Sequence, residues 1–470
     1  MKQTFITGFI LCFFGAIISS GLSAQEYTNF DLSKYYTPDI VRNSLDLNFS
    51  LNENIISRKT PDSTTLNLFN WNLRPMFTRY ENTRKRITNI SIGGTTSGSS
   101  NNNFKINNND FAKSIYTTDG LSISYSSYFY NPNQFFLMLK VNGDYDGVYS
   151  NIINSTNSLE TTTLNSQNTY SISPSIGIGK GRIESVTDAR QAIYILDELT
   201  KKGKITRTLT ENEIFRFAQT ISKVKNKRFL DARLRKIEEI STVDSFLLKS
   251  GYLTDQDATY FTTLYDFWDY GALFSRNSGQ SFEVNLTPYA NLDNSRYKPI
   301  SLNTGDLRNN QEYKAEINFI YKLERVVGLN WQHSFSSSLN FHISDVIYET
   351  TYEAGSIDKT NGTNLGGTFN ANYNLSYFPS TRSRFSLYVN QSNILDFNNH
   401  ITINNIEQPK NQMSNMMSRI GISADYYFSP QLRLSGSAGI DYSYSTYSSG
   451  INENKNLSGG IGASISYSFF

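Results

Sequence analysis

From Leu432 the chain alternates two kinds of side chain. Leu432, Leu434, Ala438, Ile440, Tyr442 and Tyr444 take one parity, with Gly436 among them. Arg433, Ser435, Ser437, Gly439, Asp441 and Ser443 take the other. After the polar stretch Ser448–Asn456 the pattern resumes. Leu457, Gly459, Ile461, Ala463, Ile465, Tyr467 and Phe469 share one face, against Gly460, Gly462, Ser464, Ser466 and Ser468. A period of two makes strands with one apolar and one polar face. The polar set is largely Ser and Gly, and the apolar set carries its aromatic rings near its ends. That is the pattern of a barrel strand with lipid on one side and a polar lumen on the other.

Matching this alternation backward places further strands near Leu45–Leu51, Leu66–Phe77, Arg84–Ile92, Leu121–Phe129, Phe135–Tyr145 and Tyr170–Ile178. Others follow near Phe282–Tyr289, Tyr313–Tyr321, Leu329–Ile343, Phe369–Tyr377, Arg384–Val389 and Ser418–Phe428. With the last hairpin this predicts an all-β transmembrane barrel of about fourteen antiparallel strands, twelve to sixteen being compatible. In the second strand Leu66 and Leu68 share one parity while Phe69, Trp71 and Leu73 share the other, which predicts a bulge. Connectors should alternate between short inner turns and long outer loops. The short ones are Arg79–Thr83, Asn131–Asn133, Leu323–Val327, Pro379–Arg382 and Ser429–Pro430. The long ones are Asn52–Thr64, Gly94–Asp119, Gly147–Asn168, Asn291–Asn310, Thr351–Gly366, Asp396–Asn411 and Ser448–Asn456.

One inner connector breaks the rule. Residues 183–272 hold 14 basic and 14 acidic residues in 90, about twice the charge density of the rest, and their apolar period shifts from 2 to 3.6. Val186, Ala189, Ile193, Leu196 and Leu199 form one stripe behind Ser185-x-x-Asp188. Ile214, Phe217, Ala218, Ile221 and Val224 form a second behind the capping box Thr210-x-x-Glu213. Leu230, Leu234 and Ile237, continued by Phe246 and Leu247, mark a third. Phe261, Leu264, Tyr265 and Trp268 mark a fourth, behind Thr254-x-x-Asp257. The expectation is a small α-helical domain inserted on the periplasmic side, below the barrel and capping its mouth. The chain thus divides into 1–24, 25–182 (barrel), 183–272 (helical insert) and 273–470 (barrel).

Residues 1–24 read as a secretory signal peptide: Lys2, the apolar run Phe5–Ile18, and a small-residue site at Leu22-Ser23-Ala24. Cys12 is the single cysteine and lies in that run, so the remainder has no thiol for disulfides, catalysis or metal. No stretch has 18 uninterrupted apolar residues. Export without a helical span points to the outer membrane, with the lipid bilayer and the barrel-assembly machinery as partners. The net charge of +2 gives no sign of nucleic-acid binding.

Gly181-Arg182-Ile183-Glu184 with Asp188-Ala189-Arg190, followed by Lys225-Asn226-Lys227-Arg228 and Asp231-x-Arg233, resembles the helical insert of uncharacterised outer-membrane barrels from Bacteroidota. The resemblance implies location and architecture only. The last strand also resembles the terminal signal read by the assembly machinery, although here Phe469, not Phe470, is in phase with Tyr467.

Chemistry is sparse. Of the three histidines, His400 falls in an outer loop, His333 on the lipid parity and His342 on the lumen parity. His342-x-Ser344-Asp345 weakly resembles the His-x-Ser-Asn-Gly of outer-membrane phospholipases, without the Asn and Gly and with both side chains turned to the lumen; the plain reading is two polar lumen residues. Glu349, Glu353 and Asp358 are either a weak Ca²⁺ site or solvated charges. No enzyme activity, cofactor or metal centre is expected. Nine charges take the lumen parity: Lys140, Asp144, Asp146, Lys314, Glu316, Arg419, Asp425, Arg433 and Asp441. They suit a weakly selective pore, or they merely fill the lumen. In the insert Lys223, Lys225, Lys227, Arg228, Arg233, Arg235 and Lys236 cluster around one acid, Asp231. That cluster is either a solvated surface or a docking face for an acidic periplasmic partner or anionic headgroups. The expected function is passage or binding of small polar solutes. The rival is a non-conducting scaffold or accessory protein working through its insert, with an embedded lipid hydrolase third.

Overall fold

A computed structural model describes residues 30–58, 64–105, 111–156, 159–207, 209–227, 232–299, 305–352, 355–408, 411–447 and 453–467. The expected signal peptide, Arg228, Leu230, Asp231, Glu353 and the terminal Phe469 and Phe470 lie outside these residues.

Fourteen long strands follow one another as antiparallel neighbours. They are β1 (Ile40–Arg58), β2 (Thr64–Asn82), β3 (Arg86–Lys105), β4 (Phe111–Tyr130), β5 (Phe135–Thr156), β6 (Leu159–Ser185), β7 (Asn277–Pro299), β8 (Asp306–Val327), β9 (Trp331–Thr351), β10 (Ile357–Tyr377), β11 (Ser383–Ile403), β13 (Asn411–Tyr427), β14 (Leu432–Tyr447) and β15 (Glu453–Tyr467). The two-residue β12 (Ile406–Glu407) folds back on β11. Alternate connections are short turns at one end, the insert end, where β6 hands over to helices. The other end is the open end.

The open end is not built of the long loops expected there. β3 continues to Lys105, β5 to Thr156, β7 to Pro299 and β11 to Ile403, so most of those residues are ladder. Alternation detects a strand only where one face is apolar. Beyond that stretch the backbone pairing continues with polar residues on both faces. Two turns also move: Leu323–Val327 belongs to β8, with the turn at 328–330, and Arg79–Asn82 belongs to β2. The expected bulge in β2 is replaced by one constant register with β1 from Thr64 to Asn82, so the phase change at Leu68–Phe69 is a change in what each face carries.

The sheet is rolled. Eleven strand steps separate β1 from β13, which would place their feet about 50 Å apart in a flat sheet. One bundle of helices nevertheless touches both neighbourhoods. Tyr35, just before β1, donates to or accepts from Ser222 of the bundle at 2.9 Å. Tyr270 donates at 3.4 Å to the Phe428 carbonyl in the turn after β13. The concave face carries the polar set and the convex face carries Ile178, Ile343, Phe341 and Ile461, each more than half exposed.

The bundle comprises α1 (Thr187–Lys201), α2 (Glu211–Lys225), α3 (Ala232–Lys249) and α4 (Ala258–Tyr270). Its core contains the expected α1 and α2 stripes, with Val243, Leu247, Tyr260, Leu264 and Trp268. Leu32 and Tyr35 ahead of β1 and Leu329 from the β8–β9 turn complete it. The third stripe is corrected in part: Leu247 joins the core and Phe246 packs against it as expected, but Ile237 is exposed and Val243 is buried instead, while the side chain of Leu234 lies outside the described residues. Phe261 and Tyr265 of α4 are likewise exposed.

The capping expectations separate cleanly. Thr210 and Glu213 form the full reciprocal box. Ser185 does not cap α1, whose N-cap is Val186 with no side-chain bond, and α4 is capped by Asp257 itself. Arg207 first, then the Thr210 backbone N–H, holds the Glu213 carboxyl well below the usual carboxylate range. The contribution of this carboxylate is full above the unfolded glutamate value of about 4.3 and fades as pH falls below it toward the depressed folded value. Thr210→Ala should destabilise the helical part by about 1 kcal/mol, with Ser185→Ala within about 0.5 kcal/mol of wild type. Thermal melts of the full chain in detergent, followed at 222 nm, check the difference.

Candidate functional site: the polar concave wall and its helical cap

All nine predicted lumen charges lie on strands, and their registers put them on one face. Lys314 and Glu316 pair at 2.6 Å, and Arg419 meets its register partner Asp441 at 3.2 Å. Asp144 accepts from Ser171 at 3.4 Å, and Asp146 stands beside Gly120. Lys140 lies opposite Ser126 and Ser175. Asp425 and Arg433 are not brought together. Asp425 is buried against Arg384 at 2.6 Å and Ser435 at 2.7 Å, while Arg433 lies 6.0 Å from the Tyr427 ring. Arg384 was missed because its partner sits on the neighbouring strand, a pairing that only register reveals.

A run of polar side chains crosses this wall. Ser175 meets Thr287 at 2.8 Å, Thr287 donates to Asn285 at 3.2 Å, and Asn318 donates to Asn285 at 3.0 Å. Asn340 donates to Asn318 at 2.7 Å and lies 3.3 Å from His342 Nδ1. His342 Nε2 then reaches Asp396 at 3.4 Å, across β10. Gly366 permits the crossing, because it is register partner to both His342 and Asp396. A Cβ there would stand 2.2 Å from Asp396 Oδ1 and 2.6 Å from His342 Cε1. The ring nitrogens of His342 therefore go to Asn340 and Asp396, not to Ser344, which lies opposite Lys314 and Asn364. His333, on the convex face, bonds Tyr373 at 2.8 Å.

At the insert end the wall is covered. The residues before β1 run from the β2–β3 turn, where Arg84 lies 3.6 Å from the Tyr36 ring, to the bundle, where Lys34 meets Glu211 at 3.0 Å. Asp266 of α4 binds Arg382 of the β10–β11 turn at 3.0 Å. Phe274, on the way out of the bundle, packs 5.6 Å from Phe378 and 5.4 Å from Tyr427. Phe378 is clasped by two buried cations, with Arg190 at 4.8 Å and Arg276 at 4.5 Å from its ring. Arg276 donates to Leu329 O at 2.7 Å, Trp331 O at 2.6 Å and Gln332 Oε1 at 2.7 Å. Burial, and secondarily Arg190, pushes its pKa down to about 9, which leaves it charged at neutral pH. This clasp has no signal in the sequence, since Arg276 falls between a helix and a strand and its acceptors are two backbone carbonyls and an amide more than 50 residues away.

The predicted basic face of the insert is mostly occupied within the bundle. Lys225 binds Asp188 at 2.8 Å and also Gln191; Lys227 binds Glu238 at 3.2 Å; Arg235 binds Glu239 at 2.7 Å; and Lys236 binds Asp269. Lys223 is exposed, and the side chain of Arg233 lies outside the described residues. Among the described residues, no group of three or more acids, histidines or cysteines is placed to hold a metal ion.

No protein-family profile matches the chain, and no curated protein does. Among solved structures, the transport unit of the autotransporter AIDA-I from Escherichia coli is similar at 13% identity, covering 82% of this chain and 91% of that one, with a TM-score of 0.28. The translocator domain of autotransporter NalP from Neisseria meningitidis is similar at 10% identity, covering 94% and 92%, with a TM-score of 0.23.

Two outcomes follow from the packing. Gly366→Ala should destabilise the barrel by about 1–3 kcal/mol by overpacking, whereas Gly436→Ala, where a Cβ meets nothing within 4 Å, should be near neutral. Denaturant titration in detergent compares them. Arg276→Leu leaves its buried acceptors unpaired and should cost on the order of 2–4 kcal/mol. Limited proteolysis should then cut the insert faster than in Gly436→Ala.

Proposed function

We propose that this chain is an outer-membrane barrel whose polar lumen admits small polar solutes, with the inserted bundle as a closure over its periplasmic mouth. The convex face carries apolar side chains suited to lipid, and the concave face carries the paired charges and amide run of a hydrated interior. The single observation behind the reading is the cap. Phe274 sits among Phe378, Tyr427 and Arg384 at the mouth, fastened by the Arg276 and Arg190 clasp. A wall built only as a membrane anchor has no need of an aromatic stopper seated against its own lumen charges.

The same clasp favours a second reading, a non-conducting scaffold on which the bundle is permanently fixed and presented. Docking through the basic cluster has less support, because four of its cations already have partners inside the bundle. Planar-bilayer recording separates the two. The wild type should be largely closed, and the double variant Phe274→Ala/Arg276→Gln should open for longer and conduct small ions. If that variant stays silent while proteolysis shows its bundle released, the solute path is rejected and the scaffold reading stands.

A further inference from the structure

Strands of 15 to 27 residues are longer than a bilayer requires. About ten residues of a tilted strand cross the apolar layer. On the membrane reading the wall therefore continues well past the lipid at the open end. There the convex face of β6 and β7 turns polar as well, with Asn168 and Ser166 following Tyr170 on β6 and Asn294 and Arg296 following Leu292 on β7, while Tyr149 of β5 remains an exposed ring beside Ser166. The concave side of this extension, facing the entrance to the lumen, holds two tyrosines in one transverse row.

Register fixes that row. Tyr116 on β4 stands opposite Ser150 on β5, Ser150 opposite Asn165 on β6, and Asn165 opposite Tyr297 on β7. Three strand steps put the tyrosines about 14 Å apart along the wall. Between them the floor is small and polar, with Asn165 donating to Ser150 at 3.1 Å. Both rings are exposed, Tyr116 at 38% and Tyr297 at 49%. Each stands in a hollow, of about 220 Å³ beside Tyr116 and about 320 Å³ beside Tyr297, and the second is edged by Gln167, Asp306 and Arg308.

We infer that this shelf binds a neutral linear oligosaccharide, with a sugar ring stacked on Tyr116, another on Tyr297, and the hydroxyls between them over the Ser150–Asn165 floor. Tyrosine offers an apolar face at low entropic cost together with a polar tip. The side chains around Tyr297 both donate and accept, as hydroxyls demand. Asp306 beside Arg308, with Asp293 accepting from Gln167 at 3.1 Å, gives no cationic excess to select an anion. The shelf lacks the deep apolar pocket that would anchor a peptide side chain.

The inference takes from the proposed function only the position of the shelf at the entrance of the solute path. Its test is calorimetric titration of the full chain in detergent with linear neutral α- and β-glucan hexamers, and with an oligouronate for comparison. Saturable binding of at least one neutral hexamer is expected. Tyr116→Ala and Tyr297→Ala should each weaken it about ten-fold or more. Tyr149→Ala, an exposed ring on the convex face opposite Ser166, should leave it unchanged. The site is refuted if neither hexamer binds, if only the oligouronate does, or if Tyr149→Ala weakens binding as much as Tyr297→Ala. Binding by a protein that never conducts would reject the path and keep the site.

Discussion

Every long strand is held by the same thing, an antiparallel ladder to the next long strand in sequence, interrupted only locally, as at the register shift between Thr363 and Asn364. Such pairing needs no crossover, so the chain can lay down strand after strand through short turns and leave the two faces free for different solvents. The described ladder begins at β1 and ends at β15, and every residue of β15 is exposed. Lipid does not tolerate a bare row of backbone donors and acceptors. On the membrane reading, β1 and β15 are therefore the strands that must meet at the seam.

The ladder also explains how the cap is carried. Turns at the insert end are short, so their carbonyls stand close to the strand ends around the mouth. Arg276 uses that of Leu329 together with that of Trp331 at the start of β9, and Arg190 lies 3.5 Å from that of Ser380. Burying two guanidinium groups without a carboxylate is costly, and it is tolerated because carbonyls, a Tyr194 hydroxyl and the Phe378 ring take up the donors and the charge. Such a clasp holds only in one geometry, which is what a closure seated on a rim needs.

How much of this was legible in the sequence depends on which force shaped each part. Where one face is apolar the period of two is plain, and the strands from Leu45 to Tyr467 were found in order. The insert was legible from its charge and its period of 3.6, down to the Thr210–Glu213 box. Ser185-x-x-Asp188 has the same spacing, but there the chain is still paired in β6. The outer halves of the strands were read as loops because Asn, Ser and Thr on both faces leave no pattern. Asp396 and Gly366 could not be matched to His342, nor Arg384 to Asp425, because cross-strand neighbours are far apart in sequence. The basic cluster misled for the opposite reason: its neutralising acids, Asp188, Glu238 and Asp269, lie outside the short window in which the cations cluster.

The central claim is that one face of this sheet meets lipid, the other meets water, and the wall outgrows the membrane at its open end. A nitroxide scan along β9 in liposomes, reading collisions with oxygen and with a water-soluble nickel chelate, tests it most directly. From Phe335 to Ile343 the odd positions should favour oxygen and the even positions the chelate. From Asp345 to Thr351 both parities should favour the chelate. No alternation at all would contradict the membrane wall, and alternation sustained to Thr351 would contradict its extension beyond the lipid.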